Sequence, residues 1–263
     1  MKQVDRTAAE GIESLGAAVI TAIDSLGAFV AFLGAAIFYI FAPPYKLRLA
    51  IYQIREIGAD SMFLIVLIAA SIGAVLGLQG VKTLTRFGAT GSLGSVVSLT
   101  LVRELGPVMA ALMVTARAGS AMAAELGSMQ ATEQIDALTV MAINPVQYLV
   151  SPRIVAGVVS FPLLTSVFDV IGIMGGYVVG VGLMGAPSSS YFNGIAYNLV
   201  WHDISTGLWK ALVFGIVVTW VCCYKGYNAE RMATGISRAT TEAVVVSSVL
   251  IILWDYFLTS ILL

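Results

Sequence analysis

Residues 154–184 read IVAGVVSFPLLTSVFDVIGIMGGYVVGVGLM, and Asp169 is the one charged residue in this long apolar stretch. A helix that crosses a bilayer needs about 20 consecutive apolar residues. This stretch exceeds that length and is apolar on every side, which is typical of a membrane span or of a fully buried helix. It therefore predicts a membrane-spanning helix.

The rest of the chain supplies further apolar stretches of similar length. They lie at residues 62–80, at 96–116 with a continuation to 123, at 208–224 and at 243–262. Because lipid offers the backbone no hydrogen bonds, such stretches cross it as helices. We expect an all-α integral membrane protein with about five transmembrane helices in one bundle over residues 60–263.

The N-terminal part, residues 1–45, differs from these spans. Glu13 and Asp24 interrupt its apolar sequence, and Pro43-Pro44 ends any helix there. Its apolar residues recur along one helical stripe: Ile12, Leu15, Val19, Ile23 and Leu26. An amphipathic helix of this kind lies in the membrane interface. We expect an interfacial or re-entrant helix here, within the same permease domain, 1–263, as the bundle.

The composition excludes several classes of protein. The chain is 59% hydrophobic and 11% charged, with a net charge of −1, whereas about a quarter of a soluble domain's residues are charged. A nucleic-acid-binding protein would need a basic face. Cys222 and Cys223 are adjacent and offer neither a disulfide framework nor a metal-ligand spacing. We expect no metal site and no nucleic-acid partner.

No motif for catalysis is recognisable in the sequence. The phosphate-binding pattern G-x-x-x-x-G-K-[ST] and the nucleophile pattern G-x-S-x-G are both missing. His202 is the single histidine, and we interpret it with Asp203 as a surface pair in a loop. We therefore expect no catalytic residues and no cofactor on this chain.

The distribution of lysine and arginine predicts the orientation. These residues are concentrated before residue 62 and between the fourth and fifth apolar stretches, whereas residues 185–207 contain none. Basic loops stay on the cytoplasmic side. We expect a cytoplasmic N-terminus and a periplasmic C-terminus, and in a bacterium an inner-membrane location.

The loop between the second and third apolar stretches is predicted to contain a short helix at 131–143. Glu133 and Asp136 share one face of it, Leu138 and Met141 give it an apolar side, and Asn144-Pro145 ends it. Such an amphipathic helix either packs on the membrane surface or enters a groove of a cytosolic partner.

Charged residues inside the apolar stretches are costly in lipid and are often functional. We expect two polar clusters, one of Arg103 and Glu104 with Asp255, and one of Arg117 with Asp169. The first precedes Gly106-Pro107, where a proline frees backbone groups. The clusters either hold helices together or, at Arg103, bind a lipid headgroup with nearby apolar residues around the acyl chains: Leu76, Leu78, Val81, Leu101 and Leu105.

Two long motifs then carry a family resemblance. They are RELGPVMAALMVTARAGSAMAAELGSMQATEQIDAL at 103–138 and NPVQYLVSPR at 144–153, with further matches in VLGLQG at 75–80, GYNAERMATGISRATTEAVV at 226–245 and LWDYFLTSIL at 253–262. These segments closely resemble the MlaE-type (YrbE-like) permeases, which are the membrane subunits of ABC lipid transporters that work with MCE proteins.

The resemblance implies a permease homodimer bound to a cytosolic ABC ATPase dimer, which binds ATP and Mg. It also implies an outer MCE protein hexamer, in many systems a STAS-domain protein, and movement of phospholipids between the inner and outer membranes that maintains outer-membrane lipid asymmetry. The coupling helix that docks on the ATPase would comprise Glu133, Gln134, Asp136, Ala137 and Leu138.

Three other functions stay open at this point. Relatives are associated with the import of sterol-like or other hydrophobic substrates. A proton- or ion-coupled secondary transporter would use Glu104, Asp169 and Asp255 as relays, although no internal repeat typical of such folds is evident. A membrane scaffold without transport activity is the third.

Overall fold

The computed structural model describes residues 20, 23–24, 26–41, 43 and 47–262. The chain forms two compact units, Met1–Tyr45 and Lys46–Leu263. In the first unit, helix α1 covers Leu26–Phe41 and is shorter than a span. Ile12, Leu15 and Val19 of the predicted stripe lie outside the described residues, so the interfacial helix stays a prediction.

The second unit is a helical bundle, and no strand occurs among residues 47–262. Five of its helical stretches are long and apolar enough to cross a membrane, which confirms the predicted all-α membrane protein. Its helices are α2 (Leu47–Ile57), α3 (Met62–Arg86), α4 (Thr90–Ala131), α5 (Gln134–Val140), α6 (Val146–Leu183), α7 (Ser188–Asn198), α8 (Trp201–Tyr227) and α9 (Ala233–Leu262).

The five long helices alternate in direction, so their connections lie at two ends of the bundle. One end carries α2, α5 and the α8–α9 turn, and we call it the α5 end. The other carries the α3–α4 turn and α7, and we call it the α7 end. Helix α8 packs against α4, α6 and α9, and α3 packs mainly on α6. Among the five, α8 is the most buried and α9 the most exposed.

Glycines allow α3 and α6 to approach until their backbones touch. A Cβ atom on Gly73 would collide with the backbone of Gly172, and one on Gly77 would lie 2.6 Å from the carbonyl oxygen of Gly176. Small residues at four-residue spacing permit such contact between helices in lipid. Helices α3 and α6 therefore form one closely packed side of the bundle, and α4 packs against both.

The helices extend beyond the apolar stretches that predicted them. Helix α4 begins at Thr90 and continues to Ala131, and α8 begins at Trp201 rather than at residue 208. Hydropathy marks only the part of a helix that lies in hydrocarbon, so polar first and last turns escape it.

Two helices were not predicted at all. Helix α2 precedes the first span, and α7 lies in what the sequence indicated as a loop. Tyr191 anchors α7, since its hydroxyl donates to the Ile173 carbonyl oxygen at 2.8 Å. Burial raises the pKa of Tyr191 to about 12, so the hydroxyl stays protonated into alkaline solution.

Candidate functional site

A buried lysine lies at the centre of the charged residues of α4, α8 and α9. Lys210 has no exposed side-chain surface, and its Nζ donates to Glu104 Oε2 and to Thr259 Oγ1, both at 2.7 Å. Asp255 Oδ1 lies 3.1 Å from the same Nζ. A buried ammonium group needs such partners, because its desolvation is otherwise uncompensated. Lys210 thus holds two carboxylates of different helices together.

Arg103 forms a second ion pair beside this lysine. Its Nη2 lies 2.6 Å from Asp203 Oδ1, and its Nε donates to the same oxygen at 2.8 Å. Asp203 is buried in the first turn of α8, where its Oδ2 accepts from the Val200 backbone N–H at 3.1 Å. We call these residues the Lys210 cluster: Arg103, Glu104, Asp203, Lys210 and Asp255.

The proline of α4 explains why Lys210 lies where it does. In a regular helix the N–H of residue 107 would donate to the Arg103 carbonyl, and Pro107 has no N–H. Lys210 Nζ donates to that carbonyl oxygen at 3.0 Å instead. The helices come close enough because Gly207 has no side chain, since a Cβ there would collide with the Val102 carbonyl. The predicted loss of regular helix at Gly106-Pro107 takes the form of a wide π-helical turn at Leu101–Leu105.

The cluster combines a fixed part with an accessible part. Lys210 and Asp203 are at most 3% exposed, whereas the side chains of Arg103 and Glu104 are each 37% exposed. A guanidinium group can bind phosphate oxygens with two parallel hydrogen bonds, and a carboxylate can accept from an ammonium group. The accessible pair therefore offers both kinds of contact that a zwitterionic headgroup needs.

The structure brings the predicted residues of this cluster together through a residue that the sequence interpretation missed. Glu104 and Asp255 meet at Lys210, and Arg103 pairs with Asp203 rather than with either of them. The interpretation of His202 and Asp203 as a surface pair is wrong, since Asp203 is 2% exposed and binds Arg103. The signal for Lys210 was present, because a lysine at the edge of an apolar stretch requires a partner.

The predicted apolar residues divide into two groups. Val81 and Leu101 are buried, and the Leu101 side chain packs against Gly172 in the bundle interior. They pack between helices of this chain, which differs from the expectation that they line a cavity. Leu76, Leu78 and Leu105 are partly buried, and Leu76 lines a cleft of about 210 Å³ between α3 and α4.

The expected pair of Arg117 with Asp169 is not formed. Arg117 Nη1 donates to the Glu56 carbonyl oxygen at 2.8 Å, and Nη2 lies 3.4 Å from Asp60 Oδ2. Asp169 instead lies against Gly106, and its Oδ1 is buried with no hydrogen-bond partner among the described residues. The spans alone suggested neither partner of Arg117, because both belong to the segment before α3.

Helix α5 connects α4 to α6, where the sequence predicted a short helix. It covers Gln134–Val140 and is therefore shorter than the predicted helix at 131–143. Gln134, Asp136 and Ala137 are exposed, Leu138 is partly buried, and Ile135 is the buried apolar residue that holds the helix to the bundle. The sequence interpretation placed the apolar side of this helix at Leu138 and Met141 and did not identify Ile135. Asn144 contributes to the next helix, since its Oδ1 accepts from the Val146 N–H at 3.0 Å.

Arg231, in the α8–α9 turn, joins that turn to α5. Its Nη2 donates to Asp136 Oδ2 at 2.6 Å, and Nη1 lies 3.6 Å from Glu133 Oε1. Glu133 adopts a left-handed conformation with φ of 58°, which is strained for a residue with a side chain. Val140 and Met141 follow at the end of α5 and are 87% and 61% exposed. The acidic face of α5 is thus held within the chain, and its C-terminal apolar residues are open.

Comparisons with known proteins identify the family of this chain. The profile of the family described as Permease MlaE matches residues 50–261. A Rickettsia felis protein described as a probable ABC transporter permease is 42% identical over 94% of this chain and 95% of its own length. The Haemophilus influenzae intermembrane phospholipid transport system permease protein MlaE is 43% identical over 81% of this chain and 82% of its own.

A plant protein extends the comparison. The chloroplastic protein TRIGALACTOSYLDIACYLGLYCEROL 1 of Arabidopsis thaliana is 33% identical over 81% of this chain and 61% of its own length. The family profile covers most of α2 and every element from there to α9, including the Lys210 cluster and α5. The chain is a multi-pass membrane protein and belongs to the MlaE permease family.

Proposed function

We propose that this chain is the permease subunit of an ABC transporter that moves phospholipids between the inner and outer membranes, driven by a separate ATPase. The description of the Haemophilus relative supports the phospholipid substrate, and that of the Rickettsia relative supports the transporter class. One observation carries the proposal to particular residues: buried Lys210 fixes the charged end of α4 while Arg103 and Glu104 stay partly exposed.

In this proposal Arg103 binds the lipid phosphate and Glu104 faces the cationic part of the headgroup. Lys210 and Asp255 position Glu104, and Asp203 positions Arg103. Leu76, Leu78 and Leu105 contact the acyl chains. A headgroup bound here gains charge-assisted hydrogen bonds inside a region of low dielectric constant, where such bonds are strong.

Lipid transfer by a reconstituted complex tests this site. The permease and its ATPase are placed in donor vesicles with a fluorescent phospholipid, and ATP-dependent transfer to acceptor vesicles is measured. Arg103→Ala should lower the transfer rate at least about tenfold, because it removes one or two charge-assisted hydrogen bonds to the headgroup. Arg103→Lys should keep part of the activity, because lysine retains the charge without the planar fork.

Two further variants complete the test: one separates binding from folding, and the other is a control outside the cluster. Glu104→Gln keeps an oxygen for Lys210 and removes the charge, so it should fold normally and still transfer poorly. Arg86→Ala removes an exposed arginine of α3 outside the cluster and should transfer normally. Full transfer by a well-assembled Arg103→Ala complex contradicts the site.

Helix α5 is the proposed coupling helix, with Glu133, Gln134, Asp136, Ala137 and Leu138 facing the ATPase. Exposed Val140 and Met141 extend this face with an apolar contact of the kind that fills a groove. Val140→Asp should prevent co-purification of the ATPase. Tyr197→Asp introduces the same charge at the 89%-exposed Tyr197 of α7, at the other end, and should leave co-purification unchanged.

The remaining assembly follows from the family relationship and is proposed with it. It comprises a homodimer, an outer MCE hexamer, in many systems a STAS-domain protein, an inner-membrane location, a cytoplasmic α5 end and a periplasmic C-terminus. The long exposed face of α9 is compatible with lipid or a second copy against it. Labelling of single introduced cysteines at Val140 and Tyr197 from either side of the membrane tests the orientation.

The secondary-transport alternative makes a different prediction for the same residues. Glu104 and Asp255 both lie within ion-pair distance of the single cation Lys210. Asp169 lies apart from them, and its Oδ1, like Oδ1 of Asp255, has no hydrogen bond among the described residues. If transfer needs ATP and continues when the proton gradient is collapsed, the relay mechanism is excluded. Mass spectrometry of the co-purified lipids distinguishes phospholipid from sterol-like substrates.

A further inference from the structure

A polar cleft lies between α2 and the second half of α4, away from the Lys210 cluster. Its volume is about 400 Å³, which is within the range of small-ligand sites. Four charged side chains and one amide line it together with apolar residues. The lining residues are Gln53, Glu56, Ile57, Asp60, Arg117, Ala118, Ala121, Met122 and Glu125.

One polar atom of this cleft is buried and has no partner. Gln53 is 7% exposed, and no hydrogen bond to its Oε1 is formed by the described residues. A buried oxygen left in this way costs about 1–3 kcal/mol, and its requirement is a hydrogen-bond donor. The cleft therefore favours a ligand that carries N–H or O–H groups.

The charges of the cleft favour a ligand that carries a cationic hydrogen-bond donor next to an anionic group. Glu125 Oε2 is paired with Arg153 at 2.7 Å, and Asp60 lies near Arg117. Among the described residues no basic side chain lies within ion-pair distance of the Glu56 carboxylate, and the Tyr52 hydroxyl is its one neutral side-chain donor there. The cleft thus has one carboxylate more than its arginines compensate. Arg117 carries five N–H donors, more than its contacts with Glu56, Ser61 and Asp60 use.

The cleft lies at the depth of lipid headgroups. Helix α2 is amphipathic and buries Ala50, Gln53 and Ile57, while Leu47 and Ile51 on its other side are exposed. A helix of this kind lies in the membrane interface. It directly precedes α3, whose apolar sequence begins at Met62. Lipid headgroups are therefore the ligands at highest local concentration.

We propose that this cleft binds the headgroup of a zwitterionic phospholipid of the phosphoethanolamine class, in the leaflet at the α5 end. The ammonium group donates to Gln53 Oε1 and to the Glu56 carboxylate, and the phosphate accepts from Arg117. Ile57 and Met122 contact the glycerol and the first acyl carbons. This site goes beyond the transport site proposed above, and lipid binding to it needs neither ATP nor the ATPase.

Site-directed photocrosslinking tests this binding with the full chain in nanodiscs. The discs contain equal amounts of phosphatidylethanolamine and phosphatidylglycerol, and soluble phosphoethanolamine is present in the buffer. The photocrosslinker p-benzoylphenylalanine replaces Tyr52, which is 55% exposed one turn before Glu56. The replacement also removes the Tyr52 hydroxyl, which donates to Glu56, and so leaves that carboxylate free for the ammonium group. In a second protein it replaces Phe63, which is 79% exposed at the start of α3 and does not line the cleft. Mass spectrometry then identifies the adducts.

We expect the ratio of phosphatidylethanolamine to phosphatidylglycerol adducts to be about tenfold higher at Tyr52 than at Phe63, as expected for one charge-assisted hydrogen bond. Glu56→Gln should return the ratio at Tyr52 to that at Phe63. This variant breaks no ion pair of the described residues and should fold normally. Glu104→Gln, the transport-site variant that should fold normally, should leave the ratio unchanged, so failure of the transport site and failure of this site are distinguishable.

Three results overturn the proposal. They are equal ratios at Tyr52 and Phe63, a preference at Tyr52 that survives Glu56→Gln, and adducts that contain soluble phosphoethanolamine or residues 1–45 of the chain in place of a diacyl lipid. Ala121→Trp fills the cleft from an exposed position of α4 and checks the result without changing a charge. It should abolish the preference as Glu56→Gln does, and a preference that persists in this variant is a fourth result that contradicts the proposal.

Discussion

The two ends of the bundle use ion pairs in opposite ways. In the Lys210 cluster, Lys210 and Asp203 are almost completely buried and each charge meets its partner at 2.6–3.1 Å. At the α5 end, Arg231, Glu133 and Asp136 are 49%, 73% and 52% exposed. Water reaches both partners of each pair in the second set, whereas each pair of the first set has one partner that water does not reach, so similar distances correspond to different energies.

The difference teaches which contacts are fixed and which are exchangeable. Removing one partner of a buried pair leaves an uncompensated charge and costs about 3–5 kcal/mol. An exposed pair contributes about 0–1 kcal/mol and can be replaced by another partner. The Lys210 cluster therefore holds α4, α8 and α9 in one arrangement, while the pairs of α5 can open when a partner protein competes for them.

The largest effect is expected for Lys210→Met. This variant leaves Glu104 and Asp255 without their common cation and the Arg103 carbonyl without its donor. The free energy of unfolding should fall by about 3–5 kcal/mol, measured by thermal denaturation of the purified protein in detergent.

The triple variant Lys210→Met, Glu104→Gln and Asp255→Asn is its control. Because it removes all three charges, it should recover most of the lost stability while lipid transfer stays low. Wild-type stability of Lys210→Met alone would contradict the assignment of Lys210 as the centre of the cluster.

A smaller effect on stability, and a specific effect on coupling, is expected for Arg231→Ala. The loss of two exposed pairs should change the free energy of unfolding by less than about 1 kcal/mol. The amount of lipid transferred per ATP hydrolysed should fall about fivefold or more. A fivefold change is at the lower end of the effects that coupling between two sites produces. The measurement compares both rates in the reconstituted complex.

Arg238→Ala serves as the matched variant, since Arg238 forms an exposed i,i+4 pair with Glu242 within α9 and does not contact α5. Its ratio of transfer to hydrolysis should equal that of the wild type. Equal ratios in both variants would show that Arg231 does not link α5 to the α8–α9 turn during transport.

The smallest effect is expected from salt. At about 1 M salt the screening length falls to about 3 Å, which weakens exposed pairs and leaves buried ones intact. Amide hydrogen exchange in α5 should then increase by about twofold, while exchange around Lys210 in α8 stays constant. A parallel increase in both helices would contradict the comparison of the two ends.

The sequence predicted the spans and the disturbed backbone hydrogen bonding of α4 because both depend on local composition. Apolar length identifies a span, and Pro107 disturbs a helix wherever it occurs. The charged partners could not be predicted in the same way. Lys210, Arg103 and Asp203 meet only after α4 and α8 have packed at Gly207, and that contact depends on three-dimensional arrangement.

Helix α2 and Arg117 show the same limit at the other end. The spacing of Ala50, Gln53 and Ile57 is helical, but these residues are too few and too mixed in polarity to stand out beside long apolar stretches. Because α2 was not predicted, the partners of Arg117 could not be identified, and Asp169 was chosen as a carboxylate at a similar depth in the spans. Position along a span gives depth in the membrane, and it does not give the direction of a side chain.

The contact between Lys210 Nζ and the Arg103 carbonyl also constrains which amino acids can replace one another. Proline at 107 creates a vacant acceptor, and lysine at 210 fills it from the neighbouring helix. Restoring an N–H by Pro107→Ala would give that oxygen a donor of its own and release one of the lysine's hydrogens. Substitutions at 107 and 210 should therefore be non-additive, although the two positions lie on different helices and far apart in the chain.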